Sequence, residues 1–530
     1  LDGMGIRKSE LGNSVIGAKT PVLDSLWTQY PHCLLDASEK AVGLPQGYAG
    51  HSEVGHLNIG SGQIVHQVLT QIGESIRTKQ FEKIPVLVES LKATKKKGSA
   101  VHLLGILSPG GVHGHIDHLF ELMRVCKKHG VEIFIHGILD GRDSGLQDGY
   151  LYLNMLNSKI TELGVGKLAS LSGRAYAMDR NKNWDRTGKT YKAMIGDGER
   201  KASDVMDVLQ NAYKSGENDQ TFKPTTMVDE KGDAVGPVKD GDTIIFYNYR
   251  EDRSRQLTKC FVQEDCNGFI REKMLKDLDF ITMTGYERGL PVKTLFDSFI
   301  PENTISDVIS RAGMKQYHIS ETEKYAHVTY FFNGGREELV EGEEFFLIPS
   351  PDVFDYSATP AMSIEPVTKE AIKRIESEGD DFVLINFANP DMLGHTGDYD
   401  ATVKSLEIMD KMTGMVIDAA VKSGYDFIVV SDHGNCDEMI EEITGDPNTM
   451  HSLSPVPFIV GQNVEKFQLL ENAVKIGTGG GSEVRGILAD SGVTVLAMLG
   501  LEPTEDMTGI NLVSIITQEK LEKQKNNRSQ

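Results

Sequence analysis

Short apolar runs rich in β-branched and aromatic residues alternate with helix-patterned segments along most of the chain. That alternation restricts the fold more than any other feature. VHLLGILS (101–108), VEIFIHGIL (131–139), LASLSG (168–173), TIIFYNY (243–249), FITMT (280–284), FVLINFA (382–388) and FIVVSDHG (427–434) read as strands. Between the first two, Ile116, Leu119, Phe120, Met123 and Cys126 share one helical face. A long helix over 400–423 turns Leu406, Met409, Met412, Val416 and Ala420 inward, and the methionines at 409, 412 and 415 read as core filler rather than metal ligands. Strands and helices in this rhythm predict an α/β protein built on parallel sheet. At 530 residues, two domains are the expectation and three are within range. The polar, turn-rich stretch 214–242 reads as a surface excursion, 92–98 as a solvated basic run ending a helix, and 521–530 as a disordered tail.

Charge and cysteine usage exclude several function classes. Lysine and arginine total 55 against 77 acidic residues, so the net charge is 55 − 77 = −22, and a nucleic-acid partner is not expected. An anionic substrate would need a local cluster of basic residues or metal ions. No apolar run approaches the roughly 18 residues of a membrane span, and no signal or transit segment opens the chain, so a soluble cytoplasmic protein is expected. Five cysteines without a CxxC pair argue against a disulfide framework and a structural zinc site.

Polar residues gather after the strands, at 108–113, 140–143, 250–253, 389–395 and 432–433. In open α/β sheets the crevice beyond the carboxyl ends of the strands is where ligands bind. A glycine-rich stretch, GLPQGYAGHSEVGHLNIG (43–60), carries Ser52 between His51 and His56. Its serine reads in two ways: as a cap of the apolar helix that follows, or as a hydroxyl at a helix start, where N–H groups and the dipole favour an anion.

Hard-cation ligands recur at suggestive spacings. Asp391 and His395 stand four apart, one helical turn; Asp432 and His433 are adjacent at a strand end; Asp2 opens a glycine turn; His451 is a fourth candidate. Mixed carboxylate and imidazole ligation suits manganese, zinc or iron. Together these residues favour a two-metal centre of the kind that activates oxygen nucleophiles and supports phosphoryl displacement. The middle third adds Arg174, Arg180, Arg250 and Arg253, whose guanidinium forks suit carboxylate and phosphate oxygens, with Arg142, Asp143, His113 and His115 nearby in sequence.

Taken in order, LDGMG, SEVGHLNIG, GGVHGH, DGRD, GRAYAMDR, NYREDR, ETEKYAHVTYFF, NPDMLGH, SDHGN, TMHS and DMTG closely resemble the cofactor-independent (2,3-bisphosphoglycerate-independent) phosphoglycerate mutase family, nearly end to end. The resemblance implies an alkaline-phosphatase-like domain, 1–66 with 299–530, interrupted by an α/β phosphotransferase domain over 67–298. It implies that Asp391, His395 and His451 hold one divalent ion, and Asp2, Ser52, Asp432 and His433 another. Manganese is the usual ion, magnesium or cobalt being possible, and no bisphosphoglycerate is needed. Ser52 would take the phosphate of 3-phosphoglycerate and return it to the 2-hydroxyl, with Lys324 on the phosphoryl oxygens. Arg250 and Arg253 would hold the phosphate end, and His113, Arg142, Asp143, Arg174 and Arg180 the glycerate, with Asp143 as general base. A monomeric glycolytic isomerase is implied, with no nucleic-acid or membrane partner.

Four positions depart from the family pattern: His51 replaces Asn, GYAG replaces GQMG, Pro109 replaces Asp, and Ser144–Gly145–Leu146 replaces TPP. The family also carries an apolar strand before its LDG motif, so residues ahead of Leu1 are expected; a genuine truncation would predict weak binding at one metal site. The alternatives are another metal-dependent phosphomonoesterase or phosphomutase of the same superfamily, and a catalytically dead scaffold that kept the fold.

Overall fold

A computed structural model describes the chain except for residues 265–270, 272–273, 298–299, 354, 378 and 517–530. The expected disordered tail and Cys266 fall outside the described residues. Leu1–Gln67 with Phe299–Gln530 form one compact unit, and Val68–Ser298 form a second. In chain order, the first unit opens with β1 (His32–Asp36). The second holds β2 (Ala100–Ile106), β3 (Glu132–Leu139), β4 (Lys167–Gly173), β5 (Arg200–Ala202), β6 (Thr225–Met227), β7 (Thr243–Phe246), β8 (Asp279–Thr282) and β9 (Lys293–Thr294). The first unit resumes with β10 (Gln316–Glu321), β11 (Glu343–Ile348), β12 (Phe382–Ile385), β13 (Phe427–Val430), β14 (Val456–Gly461) and β15 (Val484–Ile487).

The second unit is one eight-stranded sheet in the order β5-β6-β4-β3-β2-β7-β8-β9. Its strands are apolar on both faces because helices cover both sides. Val101 and Leu103 of β2, Ile133 and Ile135 of β3 and Ile245 of β7 enter one core. Leu104, Ile106, Ile138, Ile244 and Phe246, displaced by odd steps, enter the other. Because β2, β3, β4 and β7 are parallel neighbours, the segments after them, 107–115, 140–143, 174–180 and 247–253, leave from one edge.

The first unit carries two sheets, β13-β14-β1-β15 and β11-β10-β12. Its long helix, Tyr399–Lys422, buries Leu406, Met409, Met412 and Ala420.

The α/β expectation holds and two others change. The β11-β10-β12 sheet is parallel throughout, and the other two sheets add antiparallel members: β14 is antiparallel to β1 and β13, and β6 to β4. The 214–242 stretch is more than an excursion, since it supplies β6, three fully buried residues whose Thr226 hydroxyl donates to the Ala193 carbonyl at 2.9 Å. Met415 is 45% exposed rather than core, because it lies about 100° around the helix from Val416. Cys33, Cys126, Cys260 and Cys436 are buried, and no disulfide joins them. Among the described residues no helix is long and apolar enough to cross a membrane.

Candidate metal centre and anion site

Ser52 is the first residue of the Ser52–Ser61 helix, and His51 takes the N-cap position with extended backbone. The serine side chain therefore does not cap the helix. Its Oγ lies 2.5 Å from Lys324 Nζ, 3.1 Å from Asp2 Oδ1 and 3.0 Å from His433 Nε2. The helix can come this close to the strand end carrying Asp432 only through Gly55. A Cβ there would stand 2.6 Å from the Asp432 carbonyl oxygen.

Asp391, His395 and His451 converge on one point. His395 Nδ1 donates to the Thr449 carbonyl at 2.9 Å, and His451 Nδ1 to the Gly50 carbonyl at 2.8 Å. Each bond fixes a tautomer that leaves the Nε2 lone pair free. The two Nε2 atoms are 3.0 Å apart and lie 3.4 and 3.2 Å from Asp391 Oδ1. Two imidazole lone pairs and a carboxylate oxygen aimed at one another repel unless a proton or a metal cation lies between them. Asp391 Oδ1 also accepts from Asn435 Nδ2 at 2.8 Å.

The other predicted ligands lie in overlapping donor sets. Asp2 Oδ1 lies 3.4 Å from His433 Nε2, and Asp2, Asp391 and His433 form a second donor cradle. Asp432 Oδ1 accepts from the Gly3 amide at 3.2 Å, and its Oδ2 joins Asp2 and His56 in a third cradle. Asp432 Oδ2 is buried and accepts no hydrogen bond. Three buried carboxylates (Asp2, Asp391, Asp432) face one buried ammonium, Lys324, whose Nζ lies 2.7 Å from Asp2 Oδ1 and 2.5 Å from Asp391 Oδ2. Neutralising the remaining charge at low dielectric calls for further positive charge, from a protonated His433 or from bound cations. The donor set thus fits divalent metal ions.

The electrostatics follow from this crowding. Burial would raise Asp2 and Asp391, but Lys324 and His433 hold both well below the usual carboxylate range. Burial would lower His433, but Asp432, Asp391 and Asp2 raise it to about 9. Lys324 is pushed up by the same carboxylates against its own desolvation. His51, where the family pattern has Asn, is pushed down to about 3 by burial and by the imidazoles of His433, His451 and His327, so it is neutral.

In the second unit, the expected anion-binding residues meet at one sheet edge. Arg174 donates to Asp140 and, at 2.7 Å, to Asp143 Oδ2. Arg180 Nη1 lies 2.7 Å from Asp252 Oδ2, and Arg250 Nε 3.4 Å from its Oδ1. His113 stands between the two carboxylates, 3.9 Å from Asp143 and 3.6 Å from Asp252. Burial and Arg174 push it down to about 4. Arg253 donates to the Met178 carbonyl at 3.3 Å. Burial lowers its pKa first, and crowding by Arg180, Arg174 and Arg142 adds to this. Arg142 itself is exposed, fixed through its backbone amide to Asp140. Five guanidiniums against Asp140, Asp143 and Asp252 leave a surplus of two positive charges, a local positive site in a strongly acidic chain.

Sequence reasoning missed Asp140, Asp252, His56, Asn386 and Asn435 as site residues. Asp252 sits inside NYREDR and Asp140 opens DGRD, so both were legible as partners of neighbouring arginines. An apolar cavity of about 670 Å³ opens between β12 and β13, lined by Val383, Ile385, Ile428 and Val430. It carries none of Ser52, Lys324 or the imidazoles, and it is not where the chemistry lies.

A serine backed by a lysine and ringed by carboxylate and imidazole donors, on a discontinuous α/β unit with a second α/β unit inserted, defines the alkaline-phosphatase class of divalent-metal enzymes. The comparisons narrow the class. Residues 72–288 match the family described as BPG-independent PGAM N-terminus. A protein of Synechococcus sp. (strain JA-3-3Ab), 2,3-bisphosphoglycerate-independent phosphoglycerate mutase, is 44% identical over 97% of this chain and 94% of its own. Its counterpart in strain JA-2-3B'a(2-13) is 43% identical over the same shares. A crystal structure of Leishmania mexicana phosphoglycerate mutase at low cobalt concentration aligns with a TM-score of 0.67 and 28% identity over 96% of both chains. The chain belongs to the 2,3-bisphosphoglycerate-independent phosphoglycerate mutase family.

Proposed function

We propose that this protein interconverts 3-phosphoglycerate and 2-phosphoglycerate without added bisphosphoglycerate, through a phosphoserine on Ser52. The observation that carries this reading is the set of three contacts to Ser52 Oγ, from Lys324, Asp2 and His433. Divalent ions held by Asp391, His395 and His451, and by Asp2, Ser52, Asp432 and His433, would lower the serine pKa and neutralise phosphoryl oxygens. Manganese suits this donor set best, with magnesium or cobalt as alternatives.

Ser52 Oγ, as the alkoxide, bonds to phosphorus as the bond from phosphorus to the substrate's O3 breaks, and the released O3 takes the proton of Asp143. Lys324, fully charged, stabilises the added negative charge on the phosphoryl oxygens. The arginines at 142, 174, 180, 250 and 253 bind the anionic ends of the substrate, Arg250 and Arg253 taking the phosphate. Neutral His113 hydrogen-bonds glycerate oxygens. Asp143 then takes the proton of O2, so that O2 can attack the phosphoserine and release the Ser52 alkoxide. On this reading the insertion, 67–298, is the substrate-holding phosphotransferase domain, and 1–66 with 299–530 the metal-binding phosphatase domain. The enzyme would act as a cytoplasmic, glycolytic monomer, without nucleic-acid or membrane partners.

The test is phosphorus NMR of purified, manganese-loaded protein given 3-phosphoglycerate alone. Conversion to 2-phosphoglycerate with little free phosphate is expected. Dominant phosphate release would make it a phosphomonoesterase of the same superfamily and overturn the reading.

A further inference from the structure

His56 sits one helical turn after Ser52 and is buried. Its Nδ1 lies 2.9 Å from the Ser52 carbonyl and 3.2 Å from Asp432 Oδ2. A carbonyl and a carboxylate are both acceptors, so Nδ1 carries the proton and donates. The other nitrogen, Nε2, lies 3.0 Å from Asn386 Nδ2, an amide donor, and therefore accepts. Asn386 Nδ2 also donates to Asp2 Oδ2 at 2.7 Å. A chain of contacts runs from Asp2 through Asn386 and His56 to Asp432: hydrogen bonds join the first three, and the last link is the 3.2 Å approach of His56 Nδ1 to Asp432 Oδ2. By donor type alone, His56 would pass as a metal ligand, since it shares a cradle with Asp2 and Asp432. Both its nitrogens are engaged, however, and no lone pair remains for a cation.

We infer that His56 and Asn386 are positioning residues that hold the carboxylates of Asp2 and Asp432 together as one half of the metal centre. The inference rests on the divalent-metal reading given above and deepens it. Two carboxylates brought together in a buried site repel each other. Asp432 Oδ2 has no hydrogen-bond partner, so without the His56 ring beside it it is free to turn away. Asp391, His395 and His451 take no part in the bridge, so the effect should be confined to one of two ions.

Cobalt(II) titration of metal-free wild type, His56→Ala and Asn386→Ala, followed by visible absorption and equilibrium dialysis, tests this. The wild type is expected to bind two ions. Each variant should bind one with unchanged affinity and the other about 10–100-fold more weakly, the usual effect of losing an outer-shell partner. At saturating cobalt the His56→Ala spectrum should match wild type, because no ligand is lost. Melting of the metal-free proteins checks the fold; if His56→Ala does not fold, Asn386→Ala carries the test. Unchanged affinities in a folded variant would overturn the inference. So would a saturated His56→Ala spectrum showing one nitrogen ligand fewer, which would make His56 a ligand. A wild type that binds no cobalt would overturn the metal reading as well.

Discussion

Lys324 Nζ lies 2.5 Å from Ser52 Oγ, although 272 residues separate them in sequence. The lysine is the cation that the surrounding carboxylates hold in place, and it stands where a phosphoryl group on the serine would carry its negative charge.

Replacing it should therefore have two separable effects. Lys324→Ala leaves Asp2 and Asp391 buried without their partner, which destabilises the metal-free protein by about 3 kcal/mol. Manganese should restore much of that loss. Turnover should fall about 10²–10³-fold even when metal is saturating, as for loss of a single charge-stabilising donor. Thermal melting with and without manganese, set beside kcat, separates the two.

Metal affinity should rise with pH. In the metal-free protein His433 is raised from 6.5 to about 9, so its proton-linked stabilisation is full below about pH 6.5 and is lost as pH rises through about 9. A cation bound there must displace that proton. Titration calorimetry at pH 7.5 in buffers of different ionisation enthalpy should detect proton release, and His433→Asn should abolish most of it.

A glycine-to-alanine change inside a helix ordinarily stabilises by about 1 kcal/mol. Gly55→Ala should do the reverse, because the new Cβ meets the Asp432 carbonyl oxygen at 2.6 Å and the Asp432 Cβ at 2.9 Å. Moving the helix away costs about 1–3 kcal/mol and displaces Ser52. Chemical denaturation should show the loss, and mutase activity should fall further than stability does.

Much of the fold was legible because its central strands are continuous β-branched runs; 131–139 and 427–434 contain β3 and β13, and 101–108 covers all of β2 but Ala100. Short strands were not: β6 has three residues, too few to show a period. Met415 was misplaced because three residues on from Met412 is the edge of the buried face, where only packing decides. At the site, Asp391 and His395 were readable from their one-turn spacing. The convergence of Asp2, Ser52, Lys324 and His433 was not, since spacing carries no information across hundreds of residues; family resemblance supplied it. His56 escaped because its role depends on which of its nitrogens donates, and only neighbours in space settle that.

In the proposed mechanism Ser52 carries the phosphoryl group between the two positions of the substrate. Manganese-loaded protein should be mixed with 3-phosphoglycerate, acid-quenched within milliseconds and examined by peptide mass spectrometry. A phosphorylated peptide spanning Ser52, formed at least as fast as turnover and absent from Ser52→Ala, whose mutase activity should also be lost, is the predicted result. An active Ser52→Ala protein that still converts 3- to 2-phosphoglycerate would contradict the account.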